Sequence, residues 1–381
     1  MMNKILISSM FYPGIGGIEN SIKNITSSLS DMGIDCETVS FSKPEICSIK
    51  EKHHFIERAG VYNLLKYLLS GEIASLLYAV LYINRNFNND LFFISRHPLF
   101  AFAGVILNFK NHVYIPPAVM EDFYKGVLND IRFRDKPLLY LKYQIVSKIH
   151  RFYECKVVTN ENVTVCTFSQ NIKHQFLKKY KKNAFISEPG VDHSVFKFEK
   201  KFESDGKVKF LYVGRLEPGK NVELLLTAFE SNCDSNCRLY IVGSGTLETE
   251  LKSRYQDDNI IFLGTKIKDE LSELYSQADF TILPTYYEGF GQVLIESLCC
   301  GTKVIGFDSS ISNTAITQII KDDNYGFPIM KLGESGITSV LIKIKNEKLY
   351  KYDKSYVSKI SALRFSWKKF CNELINIKSR G

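Results

Sequence analysis

The apolar positions of this chain fall into short runs that alternate with segments of helical spacing. The runs at 5–7, 210–213 and 280–283 are rich in β-branched or aromatic residues and predict buried strands. The segments between such runs, for example 18–32 and 268–277, repeat apolar residues every three or four positions and predict helices. Because strands and helices alternate along the chain, we expect an α/β fold.

The stretch 284–301 carries the clearest local pattern. Pro284 ends the predicted strand before it, because proline has no N–H to donate to a ladder. Residues 288–291 read Glu-Gly-Phe-Gly and predict a glycine turn, and helical spacing resumes at Gln292. A strand, a glycine turn and a helix N-terminus together direct unpaired N–H groups and a positive dipole end at one place, which suits a phosphate.

Two glutamates flank this turn. Glu288 lies in it, and Glu296 lies one turn into the following helix, facing the same end. The arrangement resembles the Glu-x7-Glu signature of the group 1 retaining glycosyltransferases, the family-four enzymes of the GT-B fold. The match extends over Pro-x3-Glu-Gly-Phe-Gly, then Glu-Ser-Leu-x2-Gly, then Val304-Ile305.

The resemblance implies a role for each part of the stretch. Glu288 is expected to lie beside the transferred sugar, and Glu296 is expected to bind the ribose of the nucleotide. The amides of the turn and of the helix start are expected to meet the diphosphate. The donor-binding candidates here are Gly289, Phe290, Gly291 and Val293.

A second matching element follows the predicted strand 210–213. Residues 213–220 read Val-Gly-Arg-Leu-Glu-Pro-Gly-Lys and resemble the Val-Gly-Arg-Leu-x3-Lys element of the same family. The resemblance implies that Arg215 and Lys220 bind the donor diphosphate and take part in catalysis with Glu288. The residue types suit this role, because a guanidinium forks onto phosphate oxygens while an ammonium adds a point charge.

The predicted N-terminal strand 5–7 leads into a glycine loop that reads Pro-Gly-Ile-Gly-Gly-Ile-Glu at 13–19. One interpretation is a glycine turn without a ligand. The other is the opening of a Rossmann-like β-α-β unit. The loop resembles the first loop of the same family, which implies that Gly16 and Gly17 face the donor phosphates and the acceptor.

The sequence departs from the family at one position. The family often places a histidine that faces the transferred sugar just after the strand ending near Ile115, where this chain has Pro116-Pro117. We take His97 as the nearest replacement and Glu121 as a further candidate for contact with the sugar or acceptor. The alternative for His97 is a structural role, which is common for a lone histidine.

Length and spacing predict two domains, because 381 residues exceed the usual size of one core. We expect an N-terminal Rossmann-like acceptor-side domain at 1–196, a lysine-rich linker, and a Rossmann-like donor domain at 208–360. The resemblance implies that the domains face a cleft and that a C-terminal helix within 361–381 crosses back to the first domain. A core helix of the second domain is the alternative for that segment.

The positive charge lies mainly in the first half of the chain. Residues 1–190 carry 23 Lys and Arg against 16 Asp and Glu, or +7, whereas residues 191–381 carry 26 against 25. Seven of the basic residues lie between Arg132 and Lys156, around a predicted helix at 137–153. A basic, aromatic helix of this kind can lie on an anionic membrane. A core-facing helix with a solvated basic face is the alternative.

No metal or cofactor site is predicted. The nine cysteines show no paired metal spacing, and no two aspartates are separated by one residue, so the Asp-x-Asp metal site of the other large glycosyltransferase fold is absent. Neither the loop at 13–19 nor Gly243-Ser244-Gly245 completes the Gly-x-Gly-x-x-Gly fingerprint of dinucleotide enzymes. The scattered cysteines and the lack of a leader predict a cytoplasmic protein, and a basic helix that lies on an anionic membrane would locate it at the inner face of that membrane.

With the resemblance, these features predict a metal-independent, retaining glycosyltransferase of the hexosyltransferase type. It is expected to move a sugar from a nucleotide-diphosphate donor to a glycan or lipid-linked acceptor, in the synthesis of a surface polysaccharide or glycolipid. No nucleic acid is expected as a partner. The incomplete fingerprint argues against an oxidoreductase. A non-catalytic subunit of a glycosyltransferase pair stays open because of Pro116-Pro117.

Overall fold

The computed structural model describes residues 4–10, 12, 17–42, 52–57, 71–130, 137–199 and 206–377. The chain divides into two compact units: unit 1 is Met1–Pro189 with Trp367–Gly381, and unit 2 is Gly190–Ser366. Each unit is built on one parallel sheet with helices, which confirms the α/β prediction.

In its described residues, unit 1 has a sheet of seven parallel strands. In chain order these are β1 (Lys4–Ser8), β2 (Asp35–Ser40), β3 (Lys52–Phe55), β4 (Phe92–Ser95), β5 (Asn111–Tyr114), β6 (Val163–Thr167) and β7 (Phe185–Ile186). Across the sheet the order is β3-β2-β1-β4-β5-β6-β7. The strand order therefore reverses between β1 and β4, and such a topological switch point is where open α/β sheets usually bind ligands.

Helices cover both faces of this sheet. They are α1 (Gly17–Asp31), α2 (Gly71–Asn86), α3 (Pro98–Ile106), α4 (Met120–Asp130), α5 (Pro137–Val158) and α6 (Gln170–Tyr180). Alternate residues of β1 serve the two faces, because Ile5 and Ile7 lie in one apolar cluster and Leu6 lies in another. Burial on both faces explains the continuous apolar runs. Ser169 caps α6, since its Oγ accepts from the Ile172 N–H at 3.3 Å.

The apolar stripe of α5 lies on the outside of unit 1. Leu138 is 83% exposed, Ile145 57% and Phe152 52%, whereas the buried side of the helix carries His150, Tyr153, Glu154, Val157 and Val158. The helix therefore packs on the core through its C-terminal half, whereas much of the predicted stripe is exposed. Across the described residues, no helix combines the length and apolar character needed to cross a bilayer.

The C-terminal helix expected within 361–381 is present, and a separate helix precedes it. One helix ends at Arg364, and the last helix begins at Trp367. The break is stabilised because Phe365 is fully buried and its carbonyl accepts from the Val191 N–H at 3.1 Å. The apolar residues of the last helix join the unit 1 core; they are Trp367, Phe370, Cys371 and Leu374.

Unit 2 has six parallel strands. They are β8 (Val208–Val213), β9 (Cys237–Val242), β10 (Ile260–Gly264), β11 (Phe280–Leu283), β12 (Lys303–Phe307) and β13 (Gly326–Ile329). Their order is β10-β9-β8-β11-β12-β13. The switch point of this sheet therefore lies between β8 and β11.

The remaining helices belong to unit 2, except for the last, which belongs to unit 1. They are α7 (Val222–Asn232), α8 (Glu248–Arg254), α9 (Lys268–Gln277), α10 (Gln292–Cys299), α11 (Ile316–Ile319), α12 (Glu334–Asn346), α13 (Lys354–Arg364) and, in unit 1, α14 (Trp367–Asn376). A 3-10 turn, Pro218–Lys220, precedes α7.

Candidate functional site

Two loops of unit 2 lie side by side at its switch point. The loop after β8 carries Gly219 and Asn221, and the loop after β11 carries Pro284 and Thr285. The Asn221 side-chain amide donates to the Pro284 carbonyl at 3.1 Å, and the Thr285 hydroxyl donates to the Gly219 carbonyl at 3.3 Å. These bonds fix the two loops to each other, and with them the predicted site residues that the loops carry. Neither Asn221 nor Thr285 is among the site residues predicted from the sequence.

The loops bring Lys220 and Glu288 into direct contact. Lys220 Nζ lies 2.8 Å from Glu288 Oε2, and both side chains stay partly exposed. The sequence assigned a diphosphate role to one and a sugar role to the other without predicting that they pair. A partly exposed ion pair of this type contributes about 0–1 kcal/mol, so a stronger anion can displace the carboxylate from the ammonium.

Arg215 projects from the same loop as Lys220 and is exposed. The Tyr212 hydroxyl donates to the Arg215 carbonyl at 2.9 Å and fixes the backbone there. The Gly243 backbone packs behind this loop, because a Cβ at Gly243 would lie 1.9 Å from the Gly214 carbonyl oxygen. That close approach gives the Gly-x-Gly after β9 a packing role.

The N-terminus of α10 opens at the same end of the sheet. Gly291 occupies the N-cap position with φ 88°, a left-handed conformation that favours glycine, and no side chain caps the helix. The turn before it, with Gly289 and Phe290, is held because the Glu288 N–H donates to the Asn313 carbonyl at 2.9 Å. Val293 lies in the first turn of α10. The predicted strand, glycine turn and helix start are therefore present as a continuous unit.

Glu296 lies one turn further into α10 and is partly buried. Removal from water raises the pKa of its carboxyl to about 8. The Lys268 ammonium and the Tyr275 hydroxyl, both on α9, oppose that rise, while Asp192 adds to it. Hydroxyl groups that donate hydrogen bonds to this carboxyl would stabilise its ionised form.

The remaining predicted site residues belong to unit 1. Gly17 is the first residue of α1, and the place that a Cβ would occupy there is open. Gly16 lies outside the described residues. His97 caps α3, because its Nδ1 accepts from the Leu99 N–H at 3.3 Å, and its ring packs edge-on against His150 at 5.0 Å. Burial lowers the pKa of His97 well below its usual value. These contacts give His97 a structural role, and its sugar contact stays a prediction.

Glu121 lies in the first turn of α4 among three cations. Its carboxylate lies 2.9 Å from Lys179 Nζ, 3.0 Å from Lys125 Nζ and 3.4 Å from Arg151 Nε. These partners, Lys179 above all, lower the pKa of Glu121 to about 2. The proposed contact of Glu121 with sugar or acceptor is not tested by this geometry.

Within the ranges that the structure describes, no three His, Cys, Asp or Glu side chains gather as metal ligands do. The groups brought together in unit 2 are instead two cations, two carboxyls and a helix N-terminus. Such a set can bind a diphosphate and polar sugar groups.

The part of the chain that carries this site is similar to a known family. A family model described as glycosyl transferases group 1 matches residues 195–328, which contain Arg215, Lys220, Glu288 and Glu296. An uncharacterized glycosyltransferase of Methanocaldococcus jannaschii is 24% identical over 373 residues, which cover 96% of this chain and 95% of that protein.

Two solved structures match nearly the whole chain. Sucrose-phosphate synthase from Thermosynechococcus elongatus has a TM-score of 0.74 at 16% identity and covers 99% of this chain and 98% of its own. WaaG, a glycosyltransferase involved in lipopolysaccharide biosynthesis, has a TM-score of 0.71 at 16% identity and covers 99% and 100%. At such low identities, these matches show that the chains share a fold and nothing beyond it.

Proposed function

Because this chain belongs to the group 1 glycosyltransferases of the GT-B fold, we propose that it transfers a sugar with retention from a nucleotide-diphosphate donor. The observation that carries this proposal is the Lys220–Glu288 pair beside the uncapped start of α10. The expected acceptor is a glycan or a lipid-linked glycan. WaaG, with its part in lipopolysaccharide biosynthesis, supports this class by analogy.

The chemistry requires stabilisation of two opposite charges. When the bond between sugar and phosphate breaks, negative charge grows on the leaving diphosphate. Arg215, Lys220 and the N-terminus of α10 are placed to stabilise it, and groups that are already oriented usually supply the largest share of catalysis. Two protein cations balance the charge of a diphosphate ester without a metal ion.

The sugar acquires positive charge as the diphosphate leaves. Glu288 is the nearest carboxylate to Lys220, so a donor phosphate that draws the ammonium away leaves Glu288 free to face the sugar. Its negative charge then offsets the oxocarbenium-like state or orients the sugar hydroxyls. In same-face attack the leaving phosphate itself receives the acceptor proton, so no protein base is required.

A panel of sugar nucleotides tests the proposal. The purified protein should be stabilised thermally by one nucleoside diphosphate, since a ligand at 100 times its Kd adds about 2.7 kcal/mol. It should also hydrolyse or transfer the sugar of the matching donor, and the first-formed product should keep the anomeric configuration. Nucleotide binding without any turnover on the panel would favour the alternative, a non-catalytic subunit, as the departure at Pro116-Pro117 suggests.

Activity should not depend on a divalent metal. Arg215 and Lys220 supply the two positive charges that a metal ion provides in other glycosyltransferases, so excess chelator should leave the initial rate unchanged. A Lys220→Gln variant, which loses one of these charges, serves as the comparison and should bind the donor more weakly in the presence or absence of chelator. A rate that disappears with chelator and returns with manganese would contradict metal independence.

We further propose that the exposed face of α5 holds unit 1 against an anionic membrane at the cytoplasmic side. Its apolar stripe lies beside the exposed cations Lys142, Lys148, Arg151 and Lys156. Each cation near an anionic leaflet contributes about 1 kcal/mol, and the apolar side chains add shallow insertion. Arg132, Arg134 and Lys136, which belong to the same basic stretch, lie outside the described residues.

Vesicle sedimentation tests the membrane proposal. Binding should increase with the fraction of anionic lipid and decrease with salt, which screens charges over about 10 Å at 0.1 M. Replacing Lys142 and Lys148 with glutamine should weaken binding about 30-fold, that is by about 2 kcal/mol. The matched control replaces the exposed Lys321 and Lys331 of unit 2 and should bind as the wild type does. Equal binding to neutral and anionic vesicles would refute the electrostatic contribution.

A further inference from the structure

Arg96 is a buried cation at the switch point of the unit 1 sheet. It follows β4 directly, and its backbone N–H donates to the Ser8 carbonyl at the end of β1 at 3.0 Å. The residue is 3% exposed. Burial lowers the pKa of its guanidinium to about 10, which still leaves the group charged at neutral pH. Unit 1 thus holds a positive charge away from water at the place where sheets of this type bind ligands.

Some N–H groups of the Arg96 guanidinium lack hydrogen-bond acceptors. Neither Nε nor Nη1 has a hydrogen-bond partner in the part of the chain that the structure describes. The guanidinium carbon lies 4.7 Å from the centre of the Phe168 ring, and this cation–π contact leaves the N–H groups unsatisfied. Buried donors of a charged group are rarely left without an acceptor, so the geometry indicates a missing acceptor.

The residues around Arg96 supply a further hydrogen-bond donor and little negative charge to balance the guanidinium. Glu19, in the first turn of α1, is the carboxylate that acts on it electrostatically, and the two form no ion pair within the described ranges. Trp367 packs edge-on against Phe168 at 6.3 Å, and its buried indole N–H also lacks a partner among the described residues. Cys166 and Tyr114 are further ionisable groups that act on the guanidinium.

The cations at the switch points of the two sheets differ in whether a carboxylate pairs with them, and this difference indicates the charge of the ligand. In unit 2 the cation Lys220 has a carboxylate partner, and together with Arg215 it matches the charge of a donor diphosphate. The charge of Arg96 is additional to that balance and belongs to the other unit. Resting on the glycosyltransferase function proposed above, we propose that Arg96 binds an oxyanion of the acceptor, so that the acceptor class is an anionic glycan or lipid. The oxyanion is a phosphate ester or a carboxylate.

The fluorescence of a tryptophan near Arg96 can report on binding at this site. Trp367 is its only tryptophan and shares the Phe168 contact with Arg96. Inorganic phosphate, glucuronate and neutral glucose can therefore be titrated into the full chain while tryptophan fluorescence is recorded. We expect a saturable change with phosphate, with glucuronate or with both, and no change with glucose. The responding anion identifies a phosphate ester or a carboxylate as the acceptor group.

Three variants assign the response to Arg96. Arg96→Gln should weaken the apparent affinity for the responding anion about 10-fold or more, because a charge-assisted hydrogen-bond partner is lost. Arg85→Gln, which removes an exposed arginine of α2, should leave the titration unchanged. The double variant Arg215→Gln/Lys220→Gln should also leave it unchanged, since it removes the proposed phosphate groups of unit 2.

Several outcomes would overturn this proposal. They are a wild-type chain that responds equally to glucose and to the anions or to none of them, and a response that survives Arg96→Gln or is lost in the double variant. If Arg96→Gln fails to melt cooperatively, the wild-type comparison with glucose and the more conservative Arg96→Lys decide. The readout needs neither donor nor turnover, so failure of the donor panel and failure of the anion site are separate results.

Discussion

Replacing Glu288 with glutamine is expected to lower kcat about 100-fold or more while leaving the donor KM nearly unchanged. The change removes one negative charge where the sugar becomes positive and keeps the size and shape of the side chain. It also releases Lys220, whose ammonium lies 2.8 Å from the carboxylate in the unliganded chain, so donor phosphate binding should not weaken. The measurement is a steady-state rate of transfer or of donor hydrolysis, with the donor found in the nucleotide panel.

A second glutamate provides the control for this prediction. Glu347, the exposed residue at the C-terminal end of α12, is a matched position, and Glu347→Gln should retain wild-type kinetics. Lys220→Gln should differ from Glu288→Gln by raising the donor KM as well as lowering kcat, because Lys220 is proposed both to bind the donor phosphate and to stabilise the leaving charge. Wild-type kcat in Glu288→Gln, or a loss confined to KM, would remove Glu288 from the reacting centre.

The local part of the site was predictable from the sequence, because a strand, a glycine turn and a helix start are encoded by neighbouring residues. The prediction that β11 leads through Gly291 into α10 depended only on that short stretch. The pairing of Lys220 with Glu288 was not predictable in the same way. It depends on β8 and β11 lying next to each other, and a parallel sheet sets that order through long crossovers.

Periodicity also has a limit, which α5 demonstrates. Helical spacing shows that apolar residues share a face, but it does not tell whether that face turns toward a core or away from it. Leu138 and Ile145 share the predicted stripe and are exposed, while the helix buries the polar His150 and Glu154. Arg96 is a similar case. Arginine is almost never fully buried, so a sequence alone gives no reason to place this one inside.

The affinity of the chain for its nucleoside diphosphate is expected to depend on pH through Glu296. In the free protein the pKa of this carboxyl is about 8, raised from 4.5 by burial, so it is mostly protonated at neutral pH. At neutral pH the native state therefore keeps a proton that the unfolded chain has lost. The stability that this proton contributes is lost as the pH rises from 4.5 through about 8. Ribose hydroxyls that donate to the carboxylate favour its ionised form, so donor binding should release a proton.

From this proton release it follows that affinity should rise about tenfold per pH unit below pH 8 and level off above it. Glu296→Gln cannot ionise and should lose that slope, and above pH 8 it should bind about 1.5–3 kcal/mol more weakly because a charged acceptor is gone. Calorimetric titrations of both proteins over the same pH range measure this directly. The ionisation of the nucleotide's own phosphates affects both proteins equally, so the difference between the two curves isolates Glu296. Parallel curves would show that Glu296 keeps its protonation state on binding and would contradict the predicted proton release.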